Sequence, residues 1–187
     1  DTLLVHAGSS GLSSVIIPMA KAYGIRVITT VRTEEKKNAI KHLGADRVVV
    51  TTKEDISLVL KEEMAAGHSV DVAIDCLGGE IMGKCIHYLR HGARWIMIAA
   101  LAGTKTEIDL KNIYVRNVRI IGSTLRARKP EVKAQILAEL VQNVWDKVAS
   151  GEVKPTIYKI LPITEAEAAH DLLYKGKNVG KVVLTVE

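Results

Sequence analysis

Several absences bound this chain of 187 residues. No run of 18 apolar residues occurs, so no membrane-spanning helix is expected. The N-terminus has no basic stretch leading into an apolar block, which removes the secretory-signal reading and leaves a soluble, cytoplasmic protein as the expectation. Cysteine is scarce: Cys76 and Cys85 stand apart from any Cys-x-x-Cys or Cys/His spacing, which argues against a zinc site and a disulfide framework. Both thiols are expected to be reduced and buried. An initiator Met is also missing, and further sequence upstream is expected. The net charge of +5 suits an anionic ligand, but 26 basic residues are interleaved with 21 acidic ones, a solvated surface that argues against a nucleic-acid partner.

Apolar strands alternate with helical patterns. Strands are expected at Leu3–His6, Arg26–Val31, Arg47–Val50, Val70–Asp75, Arg94–Ala99 and Arg119–Ser123. Helices fall between them, to about Tyr23, over Glu34–Leu43, over Ile56–Ala66 and over Glu80–Leu89. This order implies right-handed crossovers and an α/β fold, a Rossmann-type doubly wound parallel sheet of six strands. Thr33 reads as an N-cap, with Glu34 and Glu35 in the first turn, and Gly44 reads as a helix stop. Pro18 removes an N–H inside the first helix and should kink it near Ser14. After Pro130 the alternation ends. A long helix, Glu131–Ser150, leads to a strand near Thr156–Leu161, a helix at Glu165–Tyr174 and a strand at Lys181–Val186, as if the chain returned to a different sheet.

The first strand breaks into Ala7-Gly8-Ser9-Ser10-Gly11-Leu12-Ser13 before a helix begins. Small residues in a strand-to-helix turn let backbone N–H groups approach a pyrophosphate at the positive helix end. Against the G-x-G-x-x-G pattern the turn supplies Gly8, Ser10 and Ser13, one glycine of three, so its weight comes from context. An ordinary strand–helix turn is the competing reading. The second strand ends Thr29-Thr30-Val31-Arg32, without the acid that holds a ribose 2′-hydroxyl in sites preferring NAD. With no carboxylate to repel a 2′-phosphate, and with Arg32 and Lys36 able to pair with one, NADPH is the favoured cofactor. The competing reading makes both residues solvated surface charges. Cys76-Leu77-Gly78-Gly79 and Ala99-Ala100-Leu101-Ala102-Gly103 end two further strands and should line the same crevice.

Groups for acid–base or metal chemistry do not stand out. No Tyr is followed by Lys four residues later, no Ser/His/Asp arrangement is visible, and the six histidines lack metal-ligand spacing. The chain reads as carrying a cofactor without a catalytic acid or base of its own.

Five segments, in order, resemble the medium-chain dehydrogenase/reductases, and within them the zeta-crystallin-like quinone oxidoreductases. They are Val5-His6-Ala7-Gly8-Ser9-Ser10-Gly11, Leu43-Gly44-Ala45-Asp46, Ile74-Asp75-Cys76-Leu77-Gly78-Gly79, Gly122-Ser123-Thr124-Leu125-Arg126 and Asn178-Val179-Gly180-Lys181-Val182-Val183-Leu184. The resemblance implies zinc-independent hydride transfer from NADPH to a quinone or another conjugated carbonyl. Reduction of an enal or enoyl thioester is the alternative within the superfamily, and a binding module without turnover the alternative outside it. It implies that residues 1–125 form the dinucleotide-binding domain. Residues 126–187 then return to a catalytic domain whose larger part lies outside this chain. It also implies a homodimer through the edge strand at 119–123. The chain departs from the family pattern at Ser13, where glycine is usual, at Arg32, where glycine is common, and at Thr51, where tyrosine often stands. The expected cofactor contacts are Ser9, Ser10, Gly11, Leu12 and Ser13 on the pyrophosphate and Arg32 and Lys36 on the 2′-phosphate. Cys76, Gly78, Ala99, Leu101 and Leu125 are expected near the nicotinamide.

Overall fold

The structure is a computed structural model that describes residues 1–186. Six strands, β1 (Thr2–Val5), β2 (Arg26–Val31), β3 (Arg47–Val50), β4 (Val70–Asp75), β5 (Leu89–Met97) and β6 (Arg119–Gly122), form one parallel sheet in the order β3-β2-β1-β4-β5-β6. The order reverses between β1 and β4, and at such a switch point two adjacent strand exits diverge to leave a crevice. Helices α1 (Ser13–Ala22), α2 (Glu34–Ala39), α3 (Ile56–Ala65) and α4 (Gly79–Cys85) cross between the strands, and the short α5 (Leu110–Tyr114) precedes β6.

Both faces of the sheet are covered, which is why its inner strands read as near-continuous apolar runs. With a side-chain period of two, Leu3, Val5, Val27 and Val31 pack with Ile17, Ala20 and Ile40 on one face. Leu4, Ile28, Val49 and Trp95 pack with Val59, Leu60, Met82 and Ile86 on the other. Burial of each such large side chain contributes roughly 1.5–3 kcal/mol.

The local signals act as their chemistry requires. Thr33 Oγ1 accepts from the Lys36 N–H at 3.3 Å, and Gly44 closes the turn after α2 at φ +80°. Several boundaries differ from expectation. The second helix ends at Ala39 and tightens into a 3-10 turn at Lys41–Leu43; the fourth ends at Cys85 with a similar turn at Ile86–Tyr88. β5 begins at Leu89 rather than Arg94 because Leu89 already pairs with Val70 before an irregularity in the register. It ends at Met97, opposite Asp75, so Ala99 lies in the loop beyond the sheet. α1 runs as one helix through Pro18.

After β6, the 20-residue helix α6 (Pro130–Ala149) has Pro at its start, where the missing N–H costs nothing. It is followed by β7 (Ile157–Pro162), α7 (Ala166–Tyr174) and β8 (Lys181–Thr185), with β7 and β8 paired in parallel as a separate two-stranded sheet. Tyr23 OH donates to the Asn143 carbonyl, and Lys147 lies over the Tyr23 ring, so α6 meets the end of α1. No helix among the described residues is long and apolar enough to cross a membrane.

Candidate functional site

The turn from β1 into α1 is built from hydroxyls. Ser10 Oγ accepts from the Ser13 N–H at 3.1 Å and donates to Ser13 Oγ at 3.1 Å; Ser13 Oγ in turn donates to the His6 carbonyl at 3.0 Å. Gly8 lies so close to β2 that a Cβ there would come within 2.5 Å of Thr29 Oγ1. Its N–H donates to the Thr30 carbonyl at 2.7 Å, and the Ala7 N–H donates to Thr30 Oγ1 at 3.2 Å while Ala7 holds φ +56°. These bonds fix the turn against β2. Among the described residues the N–H groups of Ser9, Gly11 and Leu12 have no protein acceptor, which leaves three donors grouped at the positive end of a ten-residue helix.

A cleft of about 630 Å³ opens over this turn at the switch point. Arg32, Lys36 and Thr51 line it at the β2 end, Ser9 and Ser10 at the centre, and Leu77, Ile81, Leu101 and Ala102 at the β4–β5 end. Of the residues expected from sequence, the structure therefore brings Ser9, Ser10, Arg32, Lys36 and Leu101 together around one space.

The others sit elsewhere. Ser13 is fully buried, with its hydroxyl committed to Ser10 and His6. Gly11 and Leu12 belong to the turn but do not line the cleft. Gly78 is buried against Gly103 and Cys76 is half-buried, so Leu77 between them is the residue that reaches the cleft. Ala99 lies past the strand end, and Ala102 takes its expected place. Leu125 is 60% exposed in the turn beyond β6 and does not line the cleft.

Sequence reasoning missed a wall. Leu173, Gly176 and Asn178, at the end of α7 and in the following loop, close the cleft from the side. That loop is tied to the β1–α1 turn by the Gly180 N–H, which donates to the Ser9 carbonyl at 2.9 Å, and Asn178 Nδ2 donates to the Gly180 carbonyl at 2.9 Å.

The charges are arranged for an anion. Among the described residues neither Arg32 nor Lys36 makes a salt bridge, whereas Glu34 is drawn away to Lys53 at 3.3 Å. The Lys36 ammonium is held below its ordinary value, first by partial burial and then by the Arg32 charge beside it. Glu35 acts on Lys36 in the opposite sense but forms no salt bridge with it, so the two cations face the cleft without a paired carboxylate among the described residues. At the far end burial and the Asp75 charge raise the Cys76 thiol, which is accordingly not activated as a nucleophile.

A family profile described as zinc-binding dehydrogenase matches residues 11–143. A quinone oxidoreductase of Mus musculus is 29% identical over 188 residues, covering 98% of this chain and 54% of the relative. A 2-haloacrylate reductase of a Burkholderia species is 27% identical over 185 residues, covering 98% of this chain and 55% of the relative. A mycobacterial structure solved in complex with NADPH superposes with a TM-score of 0.80 at 28% identity, over 100% of this chain and 58% of that one. The chain thus spans about half the length of the curated relatives it matches. Zinc itself does not suit the residues present: among the described residues no three His, Cys, Asp or Glu side chains converge into a metal-binding group. By the matched profile and the strand order together, the chain belongs to the zinc-binding dehydrogenase family of medium-chain dehydrogenase/reductases, as its Rossmann-type cofactor half.

Proposed function

We propose that this chain is the cofactor-binding portion of an NADPH-dependent reductase that delivers hydride to a quinone or another electron-poor conjugated carbonyl. The observation that carries the reading is the unpaired Arg32–Lys36 couple at the acid-free end of β2, beside a turn with three free N–H donors. A guanidinium and an ammonium there match a ribose 2′-phosphate, and the Ser9, Gly11 and Leu12 N–H groups match the pyrophosphate. When bound, the reduced dinucleotide supplies the hydride. Leu77, Ile81, Leu101 and Ala102 offer an apolar seat for the transferring end, which these residues alone leave open on one side. Among the described residues no titratable group lines that end of the cleft, so the chain's contribution is binding and orientation.

The acceptor class is read from the relatives. One relative is named for a quinone and another for a halogenated acrylate, and both acceptors present an electron-poor conjugated system to hydride. Residues 126–187 are read as a segment completing a second, catalytic domain, since α6 buries no residue fully and β7 leaves Ile157, Tyr158 and Ile160 exposed. β6 is read as the dimer edge, because all four of its residues are exposed at the open side of the sheet. The deciding experiment follows NADPH oxidation by the full-length protein with a panel of quinones and a panel of enals. Turnover of neither class overturns the assignment, and a preference for enals moves it to the enoyl-reductase reading.

A further inference from the structure

One buried polar group takes no part in the reading above. Asp75, the last residue of β4, is 0% exposed, and among the described residues no cation pairs with it. A carboxylate shut away from water needs donors, and it has three. Oδ1 accepts from the Leu77 N–H at 2.7 Å and the Gly78 N–H at 3.0 Å, and Oδ2 accepts from the Trp95 indole N–H at 3.0 Å.

The consequence is geometric. The two bonds to Oδ1 fold the chain back as it leaves β4, an Asx-type turn. That turn sets Gly78 at φ +63° and ψ −146°, against Gly103, where a Cβ would come within 2.8 Å of the Gly103 carbonyl oxygen. The turn then carries the neighbouring loop: the Cys76 carbonyl accepts from the Leu101 N–H at 3.0 Å and the Leu77 carbonyl from the Ala102 N–H at 2.8 Å. Through Oδ2 the same carboxylate grips β5 itself at Trp95, which is 0% exposed. One side chain thus locks the exits of two adjacent strands, and the residues suspended from it, Leu77, Leu101 and Ala102, are the apolar end of the cleft. Arg32 and Lys36 lie beyond β2, separated from β4 by β1, and none of these bonds reaches them.

We propose that Asp75 is a positioning residue that sets the seat of the nicotinamide half of the cofactor without touching it, and leaves the adenosine half untouched. The proposal rests on the NADPH reading above and makes a demand that reading does not: perturbing Asp75 should split the two halves of the ligand. Buried His6 is packed near this group, its ring centroid 6.0 Å from that of Trp95, and the Asp75 charge acts on it. His6, just past the end of β1, is a titratable group on which the carboxylate acts.

The test titrates NADPH and adenosine 2′,5′-bisphosphate into this chain and into Asp75→Asn, which keeps an oxygen for the turn but turns an NH₂ toward the indole N–H. The expected result is NADPH binding weakened fivefold or more, with the bisphosphate changed less than twofold. Trp95→Phe, which frees Oδ2 and spares the turn, should show the same split in smaller measure. A measurement on the unmutated chain covers the case in which Asp75→Asn does not fold: the Trp95 indole N–H resonance should move on adding NADPH and stay in place with the bisphosphate. A folded Asp75→Asn with unchanged NADPH affinity, equal losses for both ligands, or an indole resonance indifferent to NADPH overturns the proposal. If the unmutated chain binds neither ligand, the NADPH reading itself fails and this proposal falls with it; if it binds both without the split, only the role of Asp75 is lost.

Discussion

Gly180 and Ser9, far apart in sequence, are joined by a 2.9 Å hydrogen bond from the glycine N–H to the serine carbonyl. The bond attaches the β7–α7–β8 unit to the β1–α1 turn, and a parallel bridge between Ser10 and Gly180 accompanies it. Glycine is required here for two reasons. Its φ is +88°, and a Cβ would overlap the Thr156 carbonyl, which also accepts from the Lys181 N–H at 2.8 Å. Gly180→Ala is expected to destabilise the chain by about 2 kcal/mol or more, from left-handed strain plus overlap with backbone that cannot yield. Thermal unfolding would measure the loss, and amide exchange should locate it first in residues 157–185. An unaltered melting temperature would show that the loop shifts at no cost.

Cofactor choice is expected to depend on Arg32. Replacing it with alanine removes a charge-assisted contact to the 2′-phosphate, expected to cost roughly 1.5–3 kcal/mol, a tenfold to hundredfold weakening of NADPH. NADH, without that phosphate, should be affected little. Titration of both cofactors into the two proteins checks this, and equal NADPH and NADH affinities in the unmutated chain would remove the phosphate site.

Acid should weaken the fold through His6. The ring is 0% exposed, its Nε2 has no partner among the described residues, and burial pulls its pKa down to about 4 despite the opposing pull of Asp75. In the unfolded chain the ring titrates near 6.5, so between about 4 and 6.5 the unfolded state holds more protons. The stabilisation from a neutral His6 is complete above that window and is lost as pH falls through it, an effect of about 3 kcal/mol. Urea unfolding at a series of pH values should show the slope, and His6→Gln should flatten it. Asp46, Glu54 and Asp55, whose carboxyls are held below their ordinary values, add a further loss at lower pH, which the variant should retain.

What could be read from sequence was local. Strand and helix periods, the Thr33 cap and the acid-free end of β2 all depend on neighbours in the chain; they gave the sheet, and they pointed to Arg32 and Lys36, which line the cleft. The β4 end was read correctly, but β5 ends two residues before the expected Ala99, and Leu77 and Ala102 line the cleft in place of Cys76, Gly78 and Ala99, because the hydrogen bonds of the Asp75 carboxylate shape the turn after β4 and no periodicity reports them. Leu173, Gly176 and Asn178 were missed because they reach the cleft from the other end of the chain. The available signal was Asn178-Val179-Gly180-Lys181, whose glycine marks a close backbone approach. α5, five residues long, is too short to show a helical period.

Assembly can be tested at β6. Ile120 and Ile121 are 43% and 38% exposed on the open edge, and a dimer formed through paired edges would cover them. Lysine at either position places a charge where the twin strand would lie. Ile120→Lys and Ile121→Lys are expected to run as monomers in light scattering under conditions where the unmutated protein runs as a dimer. A monomeric unmutated protein at high concentration removes the edge-pairing idea.

Binding and turnover should separate in the 187-residue chain. Hydride transfer needs the acceptor about 3–3.5 Å from the nicotinamide in a site closed to water, and effective molarity falls steeply when a wall is absent. The apolar end of the cleft is open within these residues: Leu101, which lines it, is 79% exposed. The surfaces that would hold a second domain are bare as well, with Leu137 and Ile160 each 60% exposed on α6 and β7. The end proposed to hold the phosphates is supplied by this chain, since Arg32, Lys36, Ser9 and Ser10 all line it. The isolated chain is therefore expected to bind NADPH saturably and to show no quinone-dependent NADPH oxidation above background, by calorimetry and by absorbance of the reduced nicotinamide. Turnover by the isolated chain at a rate near that of the full-length protein would place the acceptor site within these residues and refute the open-wall argument.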